Sequence, residues 1–195
     1  MKHLLPLFFV FVVHTTLFPQ GTNYDYNRIK IGEAQNIVSG LALSPDTETL
    51  AISSIQSFPL YLFDWKNQNV SETLNVGNWY AGSSINYSAK GTYILLNQLY
   101  YIDFAPNRDR EVNFEIVDVK TGKSVKRFEA VHSVKITPDE KYILALSGDE
   151  VGFWNITTQN KEKSFTVSEA GNSIAISPDG KLIAVSHRLY ETDAR

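Results

Sequence analysis

The 195-residue sequence predicts an all-β chain, a β-propeller of four-stranded antiparallel blades, on three observations. The first is a four-fold echo. The segments GLALSPDTETLAIS, SINYSAKGTYILLN, SVKITPDEKYILAL and SIAISPDGKLIAVS begin at Gly40, Ser84, Ser133 and Ser173, and their turn residues Ser44, Ser88, Thr137 and Ser177 are 44, 49 and 40 residues apart. Units of that length, each holding several short strands, are the sequence signature of propeller blades. The second is a fixed offset: ten residues after Asp64, Asp118 and Asn155 stand Leu74, Phe128 and Phe165. The third is that no stretch beyond the N-terminus carries helical periodicity.

Each strand of the unit has its own pattern. In the first, apolar residues two apart (Leu41 and Leu43, Ile85 and Tyr87, Val134 and Ile136, Ile174 and Ile176) define one face. Of these, Leu41, Leu43, Val134, Ile136, Ile174 and Ile176 are expected in the core, together with Ile52, Ile94, Ile143 and Ile183 of the second strands. The turn that follows reads Pro45-Asp46, Ala89-Lys90-Gly91, Pro138-Asp139-Glu140 and Pro178-Asp179-Gly180. Pro presets φ, Asp bonds back to the backbone and Gly accepts positive φ, so these are turns with a mechanism. The second strands, around Leu50, Ile94, Ile143 and Ile183, are nearly all apolar, as strands covered on both faces are. The third strands end in Phe63-Asp64-Trp65, Val117-Asp118-Val119 and Trp154-Asn155-Ile156, followed by polar turns. The fourth carries the anchor at the ten-residue offset. A β-sandwich with coincidental turns is the alternative architecture.

The turns and Trp154-Asn155 carry a resemblance to the WD-repeat β-propeller family over roughly residues 36–195, in which Trp-Asp stands where this chain has Trp154-Asn155. The resemblance implies a propeller that serves as a binding platform. The chain departs from the family pattern by lacking the Gly-His pair before the first strand, so the family's Asp–His–Ser/Thr–Trp network has no counterpart, and His132 lies too close to Val134 to replace it. A TolB-like bacterial propeller with the same turns is a near neighbour.

The units divide the chain into blades at 36–76, 77–130 and 131–167, with a partial fourth at 168–195. Propellers close with roughly 4–8 blades. Three and a half blades would leave an unpaired edge, so the sequence is expected to be the N-terminal part of a longer protein. The remaining blades, or another chain, would then close the ring; an assembly of several copies is the alternative.

Residues 1–20 read as a secretory signal peptide. Lys2 supplies the positive end and Leu4–Val13 a ten-residue apolar core, shorter than the about 20 residues a membrane span needs. An uncleaved anchor is the competing reading. Residues 21–35 read as a leader segment. The chain has no cysteine, which excludes a disulfide framework and a thiol nucleophile. Export without disulfides fits a bacterial periplasm or extracellular space, with no stable membrane insertion once the signal is cleaved. The net charge of −3, from 18 basic and 21 acidic residues, is ordinary. The densest basic stretch, Lys120–Arg127, spans a turn and an outer strand, so no nucleic-acid partner is expected.

The search for chemistry returns little. Of four histidines, His3 and His14 fall in the signal segment, and His132 and His187 have no metal-ligand spacing. Neither a Gly-x-Ser-x-Gly elbow nor a phosphate loop is present. Asp46, Asp139 and Asp179 recur as turn formers, and Ser147-Gly148-Asp149-Glu150 reads as a tight hairpin. The expectation is no catalytic residue, no metal and no cofactor within this segment.

One irregularity points to function. From Ser88 to Asp118 is 30 residues, against 20 and 18 in the corresponding spans of units one and three. The extra residues, Leu96–Phe114, read as a long hairpin with its tip at Ala105–Arg110. With Gly77–Tyr80, which lead into the next first strand, they are expected to share one face of the propeller. Trp79, Tyr80, Tyr101, Phe104, Arg108 and Arg110 form the candidate interaction patch, since exposed aromatics beside Arg have the composition of interface hot spots. The reading against it is that Tyr100–Phe104 merely extend a strand. The expected function is an exported non-enzymatic scaffold that binds a protein or other macromolecule. The alternatives are an N-terminal propeller module of a larger enzyme, such as a peptidase, or a propeller whose channel takes a small molecule.

Overall fold

A computed structural model describes residues 38–54, 60–74, 83–98 and 112–187. The signal and leader segments at 1–35 lie outside them. The described residues form an all-β array without helices. Blade one comprises β1 (Val38–Leu43), β2 (Thr49–Ser54), β3 (Leu60–Asp64) and β4 (Asn69–Leu74). Blade two comprises β5 (Ser83–Tyr87), β6 (Tyr93–Gln98), β7 (Val112–Asp118) and β8 (Ser124–Glu129). Blade three comprises β9 (Ser133–Ile136), β10 (Tyr142–Ser147), β11 (Glu150–Asn155) and β12 (Lys161–Thr166), and blade four holds β13 (Gly171–Ile176) and β14 (Ile183–His187). Within each blade the strands pair in chain order and antiparallel, giving three four-stranded sheets and one two-stranded sheet. This is the meander a hairpin-connected sheet produces.

The turn between first and second strands repeats a single device. The hydroxyls of Ser44, Thr137 and Ser177 donate to Oδ1 of Asp46, Asp139 and Asp179 at 2.5, 2.6 and 2.6 Å. The same Oδ1 atoms accept from the backbone N of Glu48, Lys141 and Lys181. The third turn residue is left-handed in all four blades: Thr47, Gly91, Glu140 and Gly180 have φ of 62°, 79°, 61° and 72°. The Asp residues are therefore turn formers, as their place after Pro indicated. Asp64, Asp118 and Asn155 build the companion turn between third and fourth strands by accepting from the backbone N of Asn67, Thr121, and Thr157 and Thr158.

These bonds hold the three Asp carboxyls below the ordinary 3.8, with the Ser or Thr hydroxyl as the leading cause. A depressed folded value contributes stability above the unfolded pKa, and that stability is lost as pH falls through the folded value. Urea midpoints are therefore expected to drop steadily as pH falls below about 4, and to drop less in a triple variant with Asp46, Asp139 and Asp179 changed to Asn. Equal pH slopes for the two proteins would refute the assignment.

The core lies between blades. Residues paired across strands share a face, and register places Ala42, Ala51 and Leu62 on one face of blade one. That face packs on Ile85, Ile94, Leu96 and Val117 of blade two. Leu95, Phe114, Ile116 and Phe128 of blade two meet Val134, Ile143, Ala145 and Ile156 of blade three, and Leu144, Leu146 and Val151 meet Ile174 of blade four. The first strands neighbour one another, β1 against β5 and β9 against β13. Ser133 Oγ accepts the Ile174 backbone N at 3.2 Å and stitches the last pair. Tyr87 reaches the first joint. Burial pushes its phenol up to about 12, and its hydroxyl has no hydrogen-bond partner among the described residues.

Two expectations need correction. Leu41 and Leu43 were expected in the core but are 58% and 50% exposed. Every first-strand pair points at the preceding blade, and no described blade precedes the first. In blade four the second strand is also less covered than its counterparts, since Ala184 is exposed and Ile183 and Val185 are half-buried. The second strands of blades two and three are buried as read: Ile94, Leu95 and Leu96, then Ile143, Leu144, Ala145 and Leu146.

Candidate interaction face

The two ends of the blades carry different connections. One end carries the Asp-centred turns. The other carries the connections between second and third strands and between successive blades. In blade three this end is closed tightly: the hairpin turns through Gly148 at φ 60° and Asp149. Val167 N donates to Asp149 O and Gly171 N to Gly148 O, both at 2.8 Å. Gly171 sits so close to blade three that a Cβ there would lie 2.8 Å from Leu146 Cδ2 and 2.8 Å from Val185 Cγ1. His187 Nδ1 lies 3.1 Å from Glu169 O, and His132 donates its backbone N to Leu146 O. Both histidines thus sit at this end, on the surface.

In blade two the same end is open to insertion. β4 ends at Leu74 and β5 begins at Ser83; β6 ends at Gln98 and β7 begins at Val112. Ser83 and Gln98 are partners in the β5–β6 register. Segments 75–82 and 99–111 therefore attach at one edge of one blade. The six patch residues, Trp79, Tyr80, Tyr101, Phe104, Arg108 and Arg110, all lie within those segments and outside the described residues.

A charged pair stands in the middle of the same sheet. Glu115, on β7, is fully buried, and its Oε1 accepts from Nε of the half-exposed Arg127 across the β7–β8 register at 3.1 Å. A buried carboxylate needs a partner of this kind, because leaving its charge uncompensated costs several kcal/mol, roughly 3–5. Nothing in the local pattern announces it: in VNFEIV, alternation puts Glu115 on the face opposite Phe114 and Ile116. Glu150 and Lys161 form a second, more exposed ion pair at the hairpin end of blade three, and Lys161 holds the Glu150 carboxyl below its ordinary range.

Among the described residues no three His, Asp or Glu side chains gather in a way that would hold a metal ion. The carboxylates that recur are engaged in turns or in pairs.

No protein-family model matches the chain, and no curated protein matches it. Among solved structures, hydrazine synthase from Kuenenia stuttgartiensis, a β-propeller-containing protein, aligns at a TM-score of 0.55 and 18% identity over 82% of this chain. The chain spans 45% of the length of that match. At that identity the likeness shows the fold: this chain is an arc of β-propeller blades.

Proposed function

We propose that this chain is a WD-like arc of an exported β-propeller that binds a protein or other macromolecular partner through the edge carrying segments 75–82 and 99–111. The observation behind this reading is the register pair Ser83–Gln98, which roots both aromatic-rich segments at one edge. The described counterpart in blade three is a two-residue turn at the same place, so blade two has a much longer connection there. Aromatic side chains with Arg at their margin give large contact area for few rotamers lost.

The test is affinity capture from an extract of the source cells, comparing the chain with a form lacking Ala105–Arg110 and with a Trp79→Ala, Tyr101→Ala double variant. A partner retained by the chain is expected to be lost or weakened at least ~10-fold in both, with circular dichroism unchanged. Equal retention by all three would overturn the assignment of the face. Export has its own measurement: the mature protein in the periplasm or medium is expected to lack about twenty N-terminal residues by mass.

A second reading has one observation in its favour. The match covers less than half of a chain whose name is that of an enzyme. These blades would then be an accessory module, with catalytic residues elsewhere in a longer protein. A Gly-x-Ser-x-Gly elbow or a Cys/His pair encoded beyond Arg195 would support it.

A further inference from the structure

Blades two and three carry matching trios of side chains at one spacing, with the lysine and the phenylalanine that follows it shared. Ile116, Lys126 and Phe128 of blade two recur 37 residues later as Phe153, Lys163 and Phe165 of blade three. In both blades the lysine stands across from the third-strand residue in register, Lys126 opposite Ile116 and Lys163 opposite Phe153. Their surroundings differ. Blade two has a neighbour over this corner, and Phe128 is 5% exposed. Trp154, from the third strand of blade three, meets the Phe128 ring edge-on at a centroid distance of 5.6 Å. Lys126 Nζ caps that indole at 4.1 Å and donates to Gln159 O. The result is an aromatic seat with a cation over it, occupied by the next blade.

Blade three presents the same seat without an occupant among the described residues. Phe165 is 39% exposed. Lys163 Nζ lies 4.5 Å from the centroid of its own blade's Phe153 and 5.4 Å from that of Tyr142. Phe153 leans on Tyr142 and Phe165 at 6.2 and 6.0 Å. The inner part of this face is already an interface, since Ile174, Ile176, Ile183 and Val185 of β13–β14 pack on Leu144, Leu146, Val151, Tyr142 and Phe153. Only the outer part is uncovered. The edge of β14 away from β13 carries no described strand, whereas the three complete blades have their third strand there.

We propose that Phe153, Phe165 and Lys163 form a seat for an aromatic side chain carried by the third strand of blade four, an extended strand paired to the free edge of β14. The inference rests on the blade repeat and not on the interaction face proposed above. The occupant is specified by the filled seat one blade earlier: a flat, electron-rich ring in the place of Trp154, received edge-on by phenylalanine and capped by the lysine ammonium. An aliphatic strand would fill the space and forgo both contacts.

The probe is a synthetic peptide with the sequence of Glu150–Thr166 of this chain, which carries Trp154 on its own third strand, and the same peptide with Trp154→Ala. Each is titrated into the 195-residue chain with lysine side chains labelled for nuclear magnetic resonance. The tryptophan peptide is expected to move the Lys163 side-chain signals upfield by ring current, to saturation, and the alanine peptide to bind at least ~10-fold more weakly. Phe165→Ser in the chain is expected to erase the difference between the peptides. The proposal is overturned if both peptides bind alike, if binding leaves Lys163 unmoved, or if neither binds up to about 1 mM. The comparison of two peptides on the unaltered chain depends on no variant's folding.

Discussion

Replacing Ile94 with alanine is expected to destabilise the chain by ~2–5 kcal/mol, while Leu41→Ala changes stability by less than about 0.5 kcal/mol. Both are large aliphatic residues in strand positions that the repeat treats as core. Ile94 has no exposed surface and sits in the cluster that joins Ala51, Leu60, Leu62 and Leu74 of blade one to Ile85, Leu96 and Val117 of blade two. Removing three carbons there leaves a cavity bounded by two sheets that each hold their own hydrogen-bonded frame, so collapse is limited. Leu41 is 58% exposed on the face of blade one that no described blade covers. Its removal gives up little buried area and can reduce self-association, since exposed apolar sheet faces promote it. Urea denaturation of the two variants side by side is the measurement. Similar losses at the two positions would mean that the face of Leu41 is covered in solution, and the picture of an open first blade would fall.

The contrast between Leu41 and Ile94 also marks how far the sequence could be read. Strand existence, order and turn chemistry were legible because they depend on neighbours in the chain. Alternation gave Leu41, Ile85, Val134 and Ile174 the same orientation, and they do share it. Alternation reports a direction, however, and not whether a partner stands there. That is why Ile85, Val134 and Ile174 are buried and Leu41 is not. The ten-residue anchors split for the same reason: Leu74 and Phe128 are covered by the next blade, and Phe165 only partly. Of the interaction face, the length anomaly and the composition were legible in the sequence. The register of β5 on β6 supplied the common edge. The Glu115–Arg127 pair was invisible because a third strand buried on both faces breaks the alternation that would have exposed its glutamate.

The joint between blades two and three is expected to depend on one carboxylate, Glu140, whose replacement by alanine should cost ~1.5–3 kcal/mol at neutral pH. Blade two has Lys90 where the other three turns have Asp46, Asp139 and Asp179. Its turn therefore lacks the carboxylate that the device requires. Glu140, from the turn of blade three, supplies it from outside. Its Oε1 accepts the Lys90 backbone N at 2.8 Å, and its carboxylate takes the hydroxyls of Ser88 and Thr92. Lys90 Nζ returns a bond to Asp139 O at 2.9 Å. The residue holds φ at 61°, a left-handed conformation that a non-glycine residue adopts at a cost of roughly 1–2 kcal/mol. The cross-blade bonds offset that cost. Two controls separate the terms. Glu140→Gly removes the side chain but relieves the backbone, so it should lose less than alanine does. Glu140→Gln keeps the shape and removes the charge.

The pH dependence fixes the sign of the electrostatic part. Desolvation raises the Glu140 carboxyl, but the bonds from Ser88, Thr92 and Lys90 outweigh it and hold the group below its ordinary 4.5. Its contribution is therefore complete above the unfolded value and disappears as pH falls through the lower folded value. The stability gap between the parent chain and Glu140→Ala, read from urea midpoints, should be widest near pH 7 and should narrow as pH falls below the ordinary 4.5 of the carboxyl. A gap of constant size across that range would assign the loss to packing instead. No gap at neutral pH would remove the clasp altogether and leave the apolar cluster of Leu95, Ile116, Val134 and Ile143 as what holds blade two to blade three. A closing gap places the second contribution in a carboxylate that one blade lends to the turn of its neighbour.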